Sequence, residues 1–475
     1  MTVMQCTAFA STAALHVFLG RRLGPADYGV AGIIISAITV MRAGVLGALM
    51  MGAAKVIAAN PNGFGSCVAT AKKAFALVVL VFVLAILLFA PQIASLYNDP
   101  SLKPYFLLLP VCIPPLAAFV FLLSVLTGLK DFKSTMQLGV VYQLLKLALV
   151  IGFVLAGTRA YGLIFGFGLA AMLSYLFFRR RPNRDHGEEH ITLRYYASTV
   201  VGIFFALTLA MLLRYVNFWN LKRIILDPVV VGHYVAAAQL SLIPALIFSG
   251  FVVALWPAIS GLSGESDLSR AREHLSKSFK YLLITLLPFT AVVAALPRLA
   301  LRAAFGSEYL PGAGPLPILL VAIAILATQS LIMSACLAIG KVKATIGTLA
   351  GGIVFIVLLG GQLIPRYGMV GGAVTEVVGF TLTGVVFAVL SVRTFGRFAE
   401  VDKLVRIVLS SACLFLVVRG FASSGYQVVL IVPAALALFA ISLRLLNVVT
   451  KAELEQLLEF AKGRFVGPVR EFLAP

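Results

Sequence analysis

Long, unbroken apolar runs decide what this chain can fold into. About fourteen of them occur, at roughly 4–20, 28–50, 74–96, 104–128, 136–157, 160–178, 197–219, 230–256, 278–303, 313–338, 343–364, 369–392, 404–421 and 426–446. A helix of about 20 apolar residues crosses about 30 Å of hydrocarbon. In lipid every backbone polar group must be satisfied within the segment, which such a helix does by itself. The runs are continuous, not ten-residue alternating stretches, so they do not read as a barrel. Charged residues make up only 12% of the chain, about half the share of a soluble domain. The expected fold is all-α, a polytopic integral membrane protein.

The charges that remain give an orientation. The formal net charge is +20, from 38 basic and 18 acidic residues. With the amino terminus inside, 25 Lys and Arg fall in inner segments and 10 in outer ones, Lys222 and Arg223 among the latter. That bias places both termini in the cytoplasm. The basic residues flank spans, where they meet anionic headgroups, and are not gathered in one soluble domain, so nucleic acid is not an expected partner. The first run lacks a basic leader, so no cleavable signal is expected. The five cysteines lie at no metal or redox spacing, and no phosphate-cradling Gly-Lys loop occurs, so no cofactor is expected.

One short stretch repeats. Leu23-Gly24-Pro25-Ala26-Asp27-Tyr28-Gly29 returns as Leu226-Asp227-Pro228-Val229-Val230-Val231-Gly232, an offset of 203 residues. Leu, Pro and Gly keep their spacing. Each proline can open the next helix, and each glycine falls in its first turn, where a missing side chain permits close approach. Both turns follow the first span of a six-span half and lie on the outer side. The expected organisation is an N-terminal lobe at 1–178, a cytoplasmic linker at 179–195 and a C-terminal lobe at 196–392. Two further spans occupy 393–446, and an amphipathic tail follows at 447–475, opened by Thr450 and continued by Leu454, Leu457 and Leu458.

The chain resembles the oligosaccharide flippase (polysaccharide transport) family of the multidrug/oligosaccharidyl-lipid/polysaccharide exporter superfamily. Five motifs carry the resemblance: Arg22 through Gly29; Gly232-His233-Tyr234-Val235-Ala236-Ala237; Trp256-Pro257; Phe305-Gly306-Ser307-Glu308-Tyr309; and Ile364-Pro365-Arg366-Tyr367-Gly368-Met369-Val370-Gly371. Arg42 departs from the pattern, standing where a neutral or acidic residue is usual. The resemblance implies two six-span lobes around a central cavity that opens alternately to each side, with two extra helices outside. It implies an undecaprenyl-pyrophosphate-linked oligosaccharide as cargo, membrane lipids as surroundings, a proton or sodium gradient as drive, and polymerase and glycosyltransferase machinery as neighbours in the inner membrane.

Such a cargo calls for cations inside the membrane, where a charge costs at least about 2.5–3.5 kcal/mol and is seldom kept without a role. Arg42 is read as a pyrophosphate contact, guanidinium being a bidentate phosphate binder; snorkelling to the inner headgroups is the alternative. Gly139, Gln143 and Lys146 share one helical face and read as a cavity wall, with a structural ion pair to Lys146 as the alternative. Arg214, followed by Asn217 and Asn220, is a further lining candidate or a residue snorkelling outward. Glu376 is the one acid well inside a span, on the stripe Gly372, Glu376, Gly379, Thr383. It is read as an ion-coupling or gating residue, or as a static ion pair. Gly347 and Gly351 read as a close helix contact, and His16 and His233 as packing residues. Two rivals to the flippase are a cation-coupled drug or lipid II exporter of the same superfamily and, in another class, a membrane polymerase or glycosyltransferase. The first would favour an acidic cavity; the second typically needs a large outer loop or a soluble domain.

Overall fold

The computed structural model describes residues 2–179, 192–247, 265–398, 400–421 and 425–449. The linker from Arg180, the motif Trp256-Pro257 and the tail from Thr450 lie outside the described residues. Among the described residues fourteen α-helices follow one another: α1 (Thr2–Thr39), α2 (Gly47–Ala59), α3 (Phe64–Leu96), α4 (Lys103–Gly128), α5 (Phe132–Phe153), α6 (Tyr161–Phe178), α7 (Leu193–Ile224), α8 (Pro228–Ile247), α9 (Glu265–Ala295), α10 (Pro297–Ala304), α11 (Leu316–Ala338), α12 (Val342–Phe395), α13 (Val401–Phe421) and α14 (Gly425–Leu445). The protein is all-helical and polytopic, as the apolar runs require.

The described helices give eleven membrane-length spans, and two of the three by which this falls short of fourteen are lost to merging. The first two runs form one 57-residue helical stretch, Val3–Ala59, and the eleventh and twelfth form another, Val342–Phe395. Each stretch is broken by a glycine rather than by a loop: Gly24 at φ 72°, ψ 171° and Gly368 at φ 57°, ψ −133°. Residues with a Cβ rarely adopt these angles, so the chain turns sharply with no intervening coil. The eighth run is described only as far as Ile247. Between α1 and α2, Val40–Leu46 winds as a π-helical turn, and Arg42 lies inside it.

Local signals fix the helix starts. Asp131 accepts from the Ser134 amide at 3.0 Å to cap α5, and Thr192 accepts from the Tyr195 amide at 3.3 Å to cap α7. Pro228 opens α8, and Asp227 accepts from the Val229 amide at 2.8 Å.

The chain divides into two compact units. The first holds residues 1–239, 304–315 and 342–379; the second holds 240–303, 316–341 and 380–475. In the first, α1 packs on α5, α2 on α4 and α7, and α4, α5 and α6 on one another. Met4 fills the space left by Gly139 of α5, so these two helices approach closely at one end. In the second unit, α9 packs against α11 and α13, and α13 against α14. Leu283, Ala291, Ile407, Leu414, Val418, Phe439 and Leu443 form its buried centre. Gly347 and Gly351 do not mark a close contact: an added Cβ at either meets nothing within 4 Å. The close approaches on α12 are instead at Gly360, Gly372 and Gly379.

Candidate functional site

The first unit contains three connected features, beginning with the repeated turn. The two copies pack directly on each other. A Cβ on Gly29 would lie 2.7 Å from the Pro228 carbonyl oxygen, and a Cβ on Gly232 would lie 1.9 Å from that of Pro25. One step along, a Cβ on Gly32 would lie 2.7 Å from Val235 Cγ2. The contact is reciprocal: proline of each copy meets glycine of the other, as in a two-fold interface. Helices that cannot rely on water exclusion for association use small residues in this way to bring backbones together.

The Phe305–Tyr309 motif lies against this crossing. Phe305 and Tyr309 pack on the Tyr28 ring at 5.6 and 5.9 Å between centroids. His233 lies 6.0 Å from Tyr309 in edge-on geometry. Tyr309 donates to the Gly20 carbonyl at 2.7 Å, and Gly20 leaves room for Phe305. His16 Nδ1 lies 3.0 Å from the Tyr28 hydroxyl. Both histidines therefore join this aromatic cluster.

Deeper in the unit lies a basic cluster. Lys146 Nζ donates to Gln143 Oε1 at 2.6 Å and to Thr12 Oγ1 at 3.4 Å. Ser11 donates to the same Gln143 oxygen at 3.3 Å, and the ammonium lies 5.6 Å from the Phe167 ring centroid. Lys146 is only 5% exposed. Arg42 acts electrostatically on both Lys146 and Tyr142 and forms no ion pair among the described residues. The Tyr142 ring stacks on Phe119 at 4.4 Å, and its buried hydroxyl has no hydrogen-bond partner among the described residues. Gln143 and Lys146 are thus brought together, within electrostatic reach of Arg42: two cations with no acid paired to them among the described residues. That arrangement suits an anion with several acceptor oxygens.

Arg214 and Glu376 fall in another cluster, built by α7, α8 and α12. Tyr234 donates to Glu376 Oε1 at 2.8 Å, and Asn217 Nδ2 to the same oxygen at 3.1 Å. Asn217 Nδ2 also reaches the Gly372 carbonyl at 2.9 Å, while its buried Oδ1 has no partner among the described residues. Asn220 donates to the Val357 carbonyl at 3.1 Å. Gly360 permits this approach, since a Cβ there would lie 2.7 Å from Asn220 Nδ2. Arg214 acts electrostatically on Glu376 without a direct ion pair, and its guanidinium lies 5.3 Å from the Tyr215 ring centroid. Among the described residues no group of three His, Cys, Asp or Glu is placed to hold a metal.

Sequence reasoning missed several members. Thr12 and His16 beside Lys146, Ser11 on Gln143, Tyr28 on His16 and Tyr234 on Glu376 carry no sign of these partners in the sequence. Thr12, His16 and Gly20 lie at i, i+4 and i+8, a face that could have been read from α1. Lys222 was assigned to an outer loop, yet it is buried at the end of α7 and pairs with Asp99 at 2.9 Å. Beside it Asn98 donates to the Arg223 carbonyl at 2.9 Å. Partial burial tends to raise the Asp99 carboxyl; hydrogen bonds from Ser101 and Lys222, with the Lys222 charge, outweigh it and hold the group below its ordinary value.

Comparison with known proteins agrees with this architecture. The model of the polysaccharide biosynthesis protein family matches residues 18–313. A search of curated proteins finds no match. Among solved structures, the chain is similar to the lipid II flippase MurJ in an inward closed conformation, at TM-score 0.74 and 16% identity, over 94% of this chain and 100% of that one. It is similar to an inward-facing multidrug resistance MATE family transporter of the MOP superfamily, at TM-score 0.69 and 12% identity, over 82% of this chain and 95% of the other. A MOP superfamily transporter from Pyrococcus furiosus, described as having a binding pocket of reverse polarity, gives TM-score 0.61 and 14% identity, over 84% and 95%. The fold is that of MOP superfamily transporters.

Proposed function

The chain belongs to the polysaccharide biosynthesis protein family, and on that premise we propose that it is a flippase for an undecaprenyl-pyrophosphate-linked oligosaccharide. The unit would belong to an O-antigen, capsule or exopolysaccharide and move from the inner to the outer leaflet of the inner membrane. The reading is of a transporter, not an enzyme. The observation that carries it is the basic cluster: buried Lys146, with Arg42 beside it and no acid to neutralise either. A buried ammonium held only by neutral oxygens can exchange them for phosphate oxygens, gaining charge-assisted bonds. The pyrophosphate would take Lys146, Arg42 and Gln143, and Arg214 would meet it later in the cycle. The lipid tail would remain among membrane lipids.

Alternating access would rock the lobes 1–178 and 196–392, with the packed turns as the closed outer side and both termini cytoplasmic. Glu376 would be the coupling or gating group for protons or sodium. Its carboxylate is held by two donors and influenced by Arg214, so a change in its charge would be felt on α7, α8 and α12 together. The likeness of fold to a lipid II flippase favours one second reading, a lipid II or drug exporter; lipid II would present the same pyrophosphate to the same cations.

Replacing Lys146 or Arg42 with Ala should cut polysaccharide export at least about tenfold, the loss of one charge-assisted bond, with membrane insertion unchanged. Full export by both variants removes the cationic-site reading. Glu376→Gln should change how export depends on an imposed proton or sodium gradient; an unaltered dependence takes Glu376 out of coupling.

A further inference from the structure

The first helix is bent at Gly24, and one hydrogen bond spans the bend. His16 lies on the arm before Gly24, Tyr28 on the arm after it, and His16 Nδ1 meets the Tyr28 hydroxyl at 3.0 Å. Gly24 itself has open space around it, so packing at that residue does not hold the angle. The His16–Tyr28 bond is a direct brace between the two arms.

Each arm is tied to a different feature. On the first, Thr12, His16 and Gly20 form one face over about 12 Å of helix. Thr12 receives the Lys146 ammonium at 3.4 Å, His16 holds Tyr28, and the Gly20 carbonyl accepts from Tyr309 at 2.7 Å. Lys146 also acts electrostatically on His16. The second arm carries Tyr28 and Gly29 into the crossing with Pro228 and Gly232. The basic cluster and the turn contact are therefore joined through a single helix, and the His16–Tyr28 bond is the direct tie between its two arms, beside Tyr309, which holds both Gly20 and the Tyr28 ring.

We propose that His16 is a positioning residue that ties occupancy of the basic cluster to opening of the packed turns, through its bond to Tyr28 across Gly24. The proposal rests on the reading of Lys146 as a phosphate contact. A phosphate that draws Nζ away from Thr12 removes one tie between the first arm and α5, leaving those of Ser11 with Gln143 and of Met4 with Gly139. That arm can then turn about Gly24 only if His16 releases Tyr28, and release loosens the Tyr28 ring against Phe305 and Tyr309. Closure of the turns in the absence of cargo, and their opening in its presence, follow from one bistable contact.

The test places nitroxide labels at Arg22→Cys and Leu226→Cys, both exposed beside the turns, in a chain whose five native cysteines are replaced. Pulsed electron paramagnetic resonance in lipid nanodiscs reads the distance between them. Three conditions are compared: no ligand, inorganic pyrophosphate, and geranylgeranyl pyrophosphate in the bilayer. Tyr28→Phe keeps the ring and removes only the hydroxyl. Without ligand it should raise the long-distance population about three- to tenfold, the effect of one lost hydrogen bond, and leave binding of the pyrophosphate lipid within about twofold. His16→Ala should do the same, and His16→Gln, which still offers Tyr28 a partner, should shift it less. Unliganded Tyr28→Phe and His16→Ala distributions identical to the parent would overturn the brace. In the parent, both pyrophosphate probes should lengthen the distance if phosphate alone is sensed, and only the lipid probe if its tail is required; either response supports the coupling. A parent that binds neither probe, or a Lys146→Gln variant that responds like the parent, overturns the phosphate reading and with it the coupling. The unliganded variants still report on the brace.

Discussion

At the turns the two copies of the repeated segment are interchangeable; two helical turns away they are chemically opposite. Pro25 and Pro228, and Gly29 and Gly232, hold equivalent places and touch reciprocally. At the same offset of 203, Ser11, Thr12 and His16 of α1 correspond to Arg214, Tyr215 and Trp219 of α7. The first set neighbours a lysine, the second a glutamate. An added Cβ would come under 3 Å from the facing backbone in either copy, so both must keep glycine there. A buried polar cluster is bound only by the need to satisfy its own groups, and many side-chain sets do so. The two copies share their shape at the crossing and differ in the charges beyond it.

The comparison breaks most clearly where one copy has what the other lacks. Lys222 is buried on Asp99, whereas its counterpart in the first copy is Leu19. Asp99→Asn should cost about 3 kcal/mol by leaving a buried cation unpaired, and Lys222→Leu added to it should restore most of the loss. Thermal unfolding in detergent measures both; a single variant as stable as the parent would show the pair to be idle. Because the Asp99 carboxyl is held below its ordinary value, its contribution is present above the unfolded-state value of about 3.9. It is lost as pH falls through the lowered one. The gap between parent and Asp99→Asn should be flat at neutral pH and close only in acid.

The reciprocal contact can be sharpened by testing its two sides. Gly232→Ala and Gly29→Ala should each cost about 1–3 kcal/mol through overpacking. Gly232 should be the worse, with 1.9 Å of clearance against 2.7 Å. Equal melting of both variants and the parent would mean the helices separate easily there. The smallest effect belongs to Asp27, whose counterpart is Val230. Its pair with Arg159 is long, at 3.9 Å, and largely exposed, so Arg159→Ala should change stability by less than about 0.5 kcal/mol.

The helical membrane fold was legible because apolar length is a local property. Gly24-Pro25 and Gly368 were legible as turns, but not as bends within continuous helices; that depends on how much chain each turn consumes. Lys146 and Gln143 could be paired from helical spacing alone, and their 2.6 Å bond lies within one helix. Glu376 could be singled out, but Tyr234, 142 residues away, could not be joined to it without the fold. Lys222 was misread because charge near a span end ordinarily signals water, and only the position of Asp99 makes burial tolerable. His16 carried no local sign of Tyr28, since the bend at Gly24 is what brings the two together.

The reciprocal contact of the turns bears on how such a chain could arise. A half-length ancestor able to pair with its own copy would have made this interface twice over from one segment, so any mutation there struck both partners at once. Joining the halves in one gene would have ended that constraint. Each side could then have changed alone, one coming to neighbour Lys146 and the other Glu376. Pro25 and Gly232 touching today is what such a homodimer would leave behind.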